Sequence, residues 1–179
     1  MSEEKVKEIM SYLSFRLGEE VFAIHVNRIY KIMEVPDITE IPQTPGYMKG
    51  VINLGGSVLP VIDTRVKFGM TPIEKSKSTS ILVVDVKIGE EMVKTGLLVD
   101  GVQAVEKISD DGLLPPPAIG GRYKSDFISG MARVNDKFFI VLDVDAVFNA
   151  DEQIDIREIT KIRENAFNPE TTVENSNNQ

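Results

Sequence analysis

The chain has 179 residues, 42% of them hydrophobic, which is enough for one ordinary domain or two small ones around a real core. Its formal charge of -8 opposes the clustered Lys and Arg that neutralise a phosphate backbone, so nucleic acid is not an expected partner. The absence of cysteine removes disulfides, thiolate metal sites and a cysteine nucleophile together.

No run approaches the roughly 18 consecutive apolar residues that span a bilayer. Residues 1–10 are charged where a signal peptide would be apolar, so no direct membrane insertion is expected and the cytoplasm is the expected compartment. After a flexible N-terminus over residues 1–11, Leu13, Phe15 and Leu17 alternate with Ser14 and Arg16, which predicts a half-buried strand with the first three inward and the other two in water. Gly18-Glu19-Glu20-Val21 marks a hairpin turn into an apolar strand. That strand carries His25, the single histidine, as a structural residue at its end. Thr44-Pro45-Gly46-Tyr47-Met48, with a capping residue and then proline, predicts one turn of helix.

Residues 50–63 hold two apolar runs separated by Gly55-Gly56, a hairpin signal because primed turns need residues that tolerate positive φ. Asp63 is placed to cap a short helix over residues 64–68, with Gly69 as its stop. Ile81-Leu82-Val83-Val84 and Gly96-Leu97-Leu98-Val99 are unbroken apolar runs, predicting strands covered on both faces. The Pro115-Pro116-Pro117 run and Gly120-Gly121 predict a loop without regular ladder bonds.

Residues 130–149 then repeat residues 50–69 without a gap. Gly50 matches Gly130, the Gly55-Gly56 turn matches Asn135-Asp136, and Asp63 matches Asp143, which should cap a second short helix over residues 144–148 before Asn149 stops it. A looser echo places Ala23, Ile29 and Ile32 at the spacing of Gly96, Val102 and Val105. Two copies of about four short strands each predict two small barrels, roughly 15–80 and 81–150, whose apolar faces meet, with exchange of strands between them left open. Beyond residue 150, Ile154, Ile159, Ile162 and Phe167 among charges predict an amphipathic helix over 151–167, followed by a disordered tail over 168–179.

Chemistry is hard to find in this pattern. A triad would rest on His25 alone, and no Gly-x-Ser-x-Gly elbow supplies a nucleophile. Asp63, Asp143, Asp145 and Asp151 lack calcium-loop spacing, and the glycine pairs are turns and not phosphate cradles. No catalytic residue, metal or cofactor is expected.

The stretch Gly50-Val51-Ile52-Asn53-Leu54-Gly55-Gly56-Ser57-Val58-Leu59-Pro60-Val61-Ile62-Asp63 resembles the signature of the CheW family, as do Leu17-Gly18-Glu19-Glu20, Leu98-Val99-Asp100-Gly101-Val102 and Ile140-Val141-Leu142-Asp143. The resemblance implies a mainly β fold, two tandem five-stranded SH3-like β-barrels packed through an apolar interface, over residues 12–150. It implies a non-catalytic adaptor that joins the cytoplasmic tip of chemoreceptors, the methyl-accepting chemotaxis proteins, to the regulatory domain of the histidine kinase CheA at membrane receptor arrays. By position it implies a receptor-binding groove of Ile29, Lys31, Ile32, Gly55, Leu82 and Val105, and kinase contacts at Val58 and Ile119. Asn53, Leu54, Gly56, Pro60, Asp63 and Asp143 would hold the structural motif.

Three positions depart from the family's usual residues: Gly55 stands for arginine, Lys31 for glutamate and His25 for aspartate. Such changes alter electrostatic complementarity, which governs specificity. Two other readings compete: a divergent scaffold of another signalling cluster, and a small-ligand-binding barrel. CheV-type proteins add a receiver domain, for which the stretch after Ala150 is too short. An adaptor needs exposed apolar patches on separate faces, whereas a ligand-binding barrel needs one concave pocket.

Overall fold

A computed structural model describes residues 8–115 and 125–161. The strands are β1 (Ile9–Leu17), β2 (Glu20–His25), β3 (Ile29–Glu34), β4 (Met48–Leu54), β5 (Ser57–Asp63), β6 (Ser80–Ile88), β7 (Glu91–Val99), β8 (Gly101–Ser109), β9 (Leu113–Leu114), β10 (Ile128–Val134) and β11 (Lys137–Leu142). Among the described residues the helices are α1 (Thr64–Lys67) and α2 (Ala150–Thr160), with a few 3-10 turns. The fold is mainly β, as expected.

Its strands form two packed sheets, one ordered β3-β6-β7-β5-β4 and the other β8-β1-β2-β11-β10-β9. Among the described residues neither ladder closes on itself, so the expected barrels are open sheets, one of five strands and one of six.

A division at residue 80 does not match these sheets, because the two halves exchange hairpins. The β1–β2 hairpin leaves the first half to pair with β8 and β11, and β6–β7 leaves the second to pair with β3 and β5. The physical cause is the connection lengths. Asp100 alone separates β7 from β8, one residue short of the tightest antiparallel hairpin loop, so the chain must run on into the other sheet. The exchange is symmetric down to residue level: Ala23 pairs parallel with Val141 in one sheet, and its sequence echo Gly96 pairs parallel with Val61 in the other.

Hairpin chemistry explains the repeated residues. Gly55 and Gly56 take φ of 58° and 89°, and Asn135 and Asp136 take 50° and 64°, as primed turns require. Gly50 and Gly130 each lie where the register slips, and each passes close under another segment: a Cβ on Gly50 would lie 2.3 Å from the Thr39 carbonyl oxygen, and one on Gly130 2.6 Å from that of Leu114. Asp63 accepts hydrogen bonds from the Val66 amide at 3.3 Å and the Ile73 amide at 3.0 Å, capping α1.

Local expectations fail at four places. Asp143 accepts from the Asp145 amide at 3.0 Å, but it starts only a 3-10 turn over Val144–Ala146 in place of a helix. Asn149 is no helix stop: it is the N-cap of α2, exchanging 2.9 Å bonds with Glu152 in a capping box. Residues 44–47 form no helix but a turn that enters β4 at Met48, and the Thr44 hydroxyl donates backwards to the Ile41 carbonyl instead of capping an amide ahead. Ser14 is fully buried, because two residues of β8 oppose it at a bulge and its hydroxyl serves both the amide and the carbonyl of Ala104.

One apolar core spans both sheets, with Phe15, Leu17 and Phe22 from one meeting Leu59, Val61 and Leu97 from the other. At the seam Phe68 stacks on Phe127 with centroids 4.4 Å apart and lies 5.6 Å from Phe22. The β6 and β7 runs are buried on both faces, as their unbroken hydrophobicity predicts. The helix α2 lies against β5 and β7 through Ile156 and Ile159, while Ile154 points to solvent; Ile162 and Phe167 lie outside the described residues.

Ion pairs tie the connections together. Asp100 accepts from the Gly18 amide at 2.6 Å and from Arg65 Nε at 2.7 Å. Asp145 is gripped by both terminal nitrogens of Arg28 and by the Lys87 amide at 2.7 Å. Burial alone would raise the Asp145 carboxyl, but the Arg28 guanidinium and the Lys87 amide overcome it and hold it below the ordinary carboxylate range. A lowered folded-state pKa contributes stability above the unfolded value and loses it as pH falls through the folded one. Asp145→Asn should therefore cost about 1 kcal/mol near neutrality, modest because the carboxylate is a third exposed. Urea melts from neutral pH to about pH 3 should show the gap between wild type and variant closing in acid.

Candidate functional site

The strand β3 is an edge of the five-stranded sheet, so among the described residues one of its sides has no partner strand. Its register with β6 slips between Ile29, opposite Val84, and Lys31, opposite Val83. Tyr30 bulges out, and a bulge re-aims the side chains beside it. Tyr30 and Lys31, which a regular strand would point to opposite faces, consequently line the same groove.

That groove has a volume of about 420 Å³ and is open to solvent. The β4–β5 turn contributes Leu54, Gly55 and Ser57, β5 contributes Val58 and Leu59, and β7 contributes Lys94. The Lys94 ammonium lies 4.5 Å from the Tyr30 ring centroid and 3.6 Å from a carboxylate oxygen of Asp85. Lys31 is exposed and has no ion-pair partner among the described residues. Gly55 at φ 58° leaves open space where a side chain would stand.

The residues expected to bind partners are distributed unevenly. Lys31, Gly55 and Val58 share this groove, so positions expected to serve two partners fall on one surface. Ile32 is 47% exposed on β3, and Ile29 is half-buried against the core. Leu82 is a correction: it sits opposite Ile32 on β6 with no exposed surface, because β6 is an interior strand. It supports the edge strand from beside it and offers nothing to a partner. Val105, 59% exposed, stands on β8 of the other sheet. Ile119, with Pro116, Pro117 and the Gly120-Gly121 pair, lies outside the described residues.

The structural positions have visible duties. Asn53 Oδ1 accepts from the Gly56 amide at 2.8 Å, closing the turn from within. Pro60 lies one residue before the parallel β5–β7 ladder begins at Val61, where its missing N–H costs no bond. His25 ends β2 by accepting from the Asn27 amide at 3.1 Å, with Met10 Sδ 2.8 Å from its Nε2 and the Tyr12 ring edge-on at 5.2 Å. Tyr30 and Lys94 escaped the sequence reading, since strand alternation hides a bulge and nothing local marks Lys94 as its neighbour.

A solvent-open groove and exposed apolar side chains on both sheets define a two-sheet protein-interaction module. A family model described as CheW-like domain matches residues 11–152, and the chain belongs to that family, as the motif at residues 50–63 indicated. Among curated proteins it is 31% identical to the probable chemotaxis protein CheW of Rhizobium etli, over 78% of this chain and 88% of that one. It is 27% identical to chemotaxis protein CheW of Klebsiella aerogenes, over 84% and 88% respectively. The solved structure of the scaffolding protein TtCheW from Thermoanaerobacter tengcongensis is similar with a TM-score of 0.72 and 31% identity, covering 81% of this chain and 97% of that one. The chain is thus a chemotaxis scaffold of the CheW type. No described helix is long and apolar enough to cross a membrane.

Proposed function

We propose that the chain is a non-catalytic adaptor that couples the cytoplasmic tips of chemoreceptors to the regulatory domain of the histidine kinase CheA, working in the cytoplasm at receptor arrays. One observation carries this reading: exposed apolar residues stand on both sheets, Tyr30 and Ile32 on one and Val105, Leu114 and Phe138 on the other. An adaptor must hold two partners at once, and separate apolar patches suit that task better than the single deep pocket a ligand-binding barrel would need. Receptor contact is assigned to the β3 edge with Ile29, Lys31, Ile32 and Gly55, and to Val105. On the kinase side, Phe138 is the repeat counterpart of Val58 and is exposed where Val58 is buried, which makes it the available apolar residue of the two hairpins.

The test is calorimetry of the full chain against a receptor tip and against the CheA regulatory domain of the same cell. Saturable binding to both is expected. Ile32→Asp should weaken receptor binding at least about tenfold, ~1.4 kcal/mol, while leaving the thermal midpoint unchanged, since that side chain is exposed. Failure of the wild-type chain to bind either partner would overturn the adaptor reading.

A further inference from the structure

The β3 groove is a basic site on an acidic protein. The chain carries a formal charge of -8, yet the residues lining this groove include two lysines and no carboxylate. The Lys94 ammonium lies over the Tyr30 ring at 4.5 Å, with Asp85 3.6 Å away on the neighbouring strand, and both contacts favour a position at the groove. Asp85 offsets part of that charge. Lys31 is offset by nothing, because no carboxylate pairs with it among the described residues, and the Tyr30 bulge turns it toward the same groove. The exposed Tyr30 ring forms an apolar rim beside it, while Ile32 is exposed on the same edge strand but does not line the groove. Gly55, with nothing within 4 Å of where a Cβ would stand, keeps the opposite wall low enough for a bulky element to approach.

We propose that this groove selects its partner by charge: the receptor segment that docks here presents carboxylates to Lys31 and Lys94 beside an apolar side chain that packs on the Tyr30 ring. The inference rests on the adaptor reading and adds the chemistry of the partner. An unpaired cation at a rim contributes little to the stability of the folded chain, but opposite charge on a partner steers encounter and fixes register, while like charge there is costly. A receptor segment bearing Arg or Lys at that register is rejected, so the lysine pair sets which receptors the chain accepts.

The experiment titrates the full chain with the cytoplasmic tip of a receptor from the same cell, at low and moderate salt, and compares Lys31→Glu, Lys31→Met and Lys94→Glu. Lys31 is exposed, so circular dichroism melts of its two variants should overlay the wild type, and Lys31→Met keeps the aliphatic stem as a second control. The expected result is affinity that falls with salt, about tenfold weaker binding for Lys31→Glu, and a smaller loss for Lys31→Met. Among tip variants with each Asp or Glu changed to Lys, one should restore binding to Lys31→Glu while losing it to the wild type. If the wild type binds the tip and all three variants bind within about twofold of it at low salt, the charge-selection inference is overturned and the adaptor reading stands. If the wild type does not bind any tip, the adaptor reading falls and this inference falls with it.

Discussion

Gly50→Ala should lower stability by roughly 3 kcal/mol and the thermal midpoint by about 6–12 °C. Two costs add at this position. An added methyl carbon would sit 2.3 Å from the Thr39 carbonyl oxygen and 2.7 Å from Ile38 Cγ2, and neither can withdraw cheaply, because Thr39 is bridged to Val51 by two backbone hydrogen bonds of 2.8 and 2.9 Å. The backbone φ of 149° is one that side-chain-bearing residues rarely adopt. Other glycines grade the effect. Gly130→Ala meets the Leu114 carbonyl at 2.6 Å without a positive φ and should cost about 2 kcal/mol. Gly55→Ala has open space but a φ of 58°, which is worth about 1 kcal/mol of strain. Gly46→Ala has neither burden and should be close to neutral. Urea denaturation of the four variants measures the series, and equal effects at Gly50 and Gly46 would show that close approach is not what keeps glycine at the head of each repeated hairpin.

That series bears on how much of this fold is legible in the chain. What is local is readable: the turns at Gly55-Gly56 and Asn135-Asp136 are spelled out because positive φ restricts the residues that can stand there, and the buried β6 and β7 runs because strands covered on both faces need no polar alternation. What depends on distant partners is not. The exchange of hairpins between sheets turns on a one-residue connection at Asp100, and the repeat reads the same whether the copies keep or trade their strands. Ser14 is polar and stands where alternation assigns water, yet a bulge in β8 buries it against Ala104. Ile154 and Ile156 are equal in hydrophobicity, and only the docking of α2 on β5 and β7 decides that the second is inside. The candidate site divides in the same way. Lys31 and Gly55 were assigned by position from the family resemblance, but Tyr30 and Lys94 joined them through a bulge and a neighbouring strand, neither of which leaves a sequence mark.

Val58→Asp should lower stability by roughly 4 kcal/mol and the midpoint by about 8–16 °C. The side chain is only 6% exposed and belongs to the core shared by both sheets, although it lies at the floor of the β3 groove. Replacing it removes buried apolar surface and puts a carboxyl among apolar neighbours; the group either stays charged at high cost or takes up a proton, so the loss should diminish as pH falls toward the raised carboxyl pKa. This matters for function, because Val58 is a position at which the family resemblance implies a kinase contact. A variant that lost kinase binding through partial unfolding would mimic the loss of a contact. Phe138→Ser separates the two: its ring is 55% exposed at the equivalent place in the second hairpin, so the fold should lose less than about 1 kcal/mol while any contact made there disappears. Thermal melts and kinase-domain titrations on both variants therefore give opposite patterns, with Val58→Asp unstable and Phe138→Ser stable but defective in binding. A Val58→Asp protein that melted like the wild type would show that this part of the core is open enough to take a partner directly.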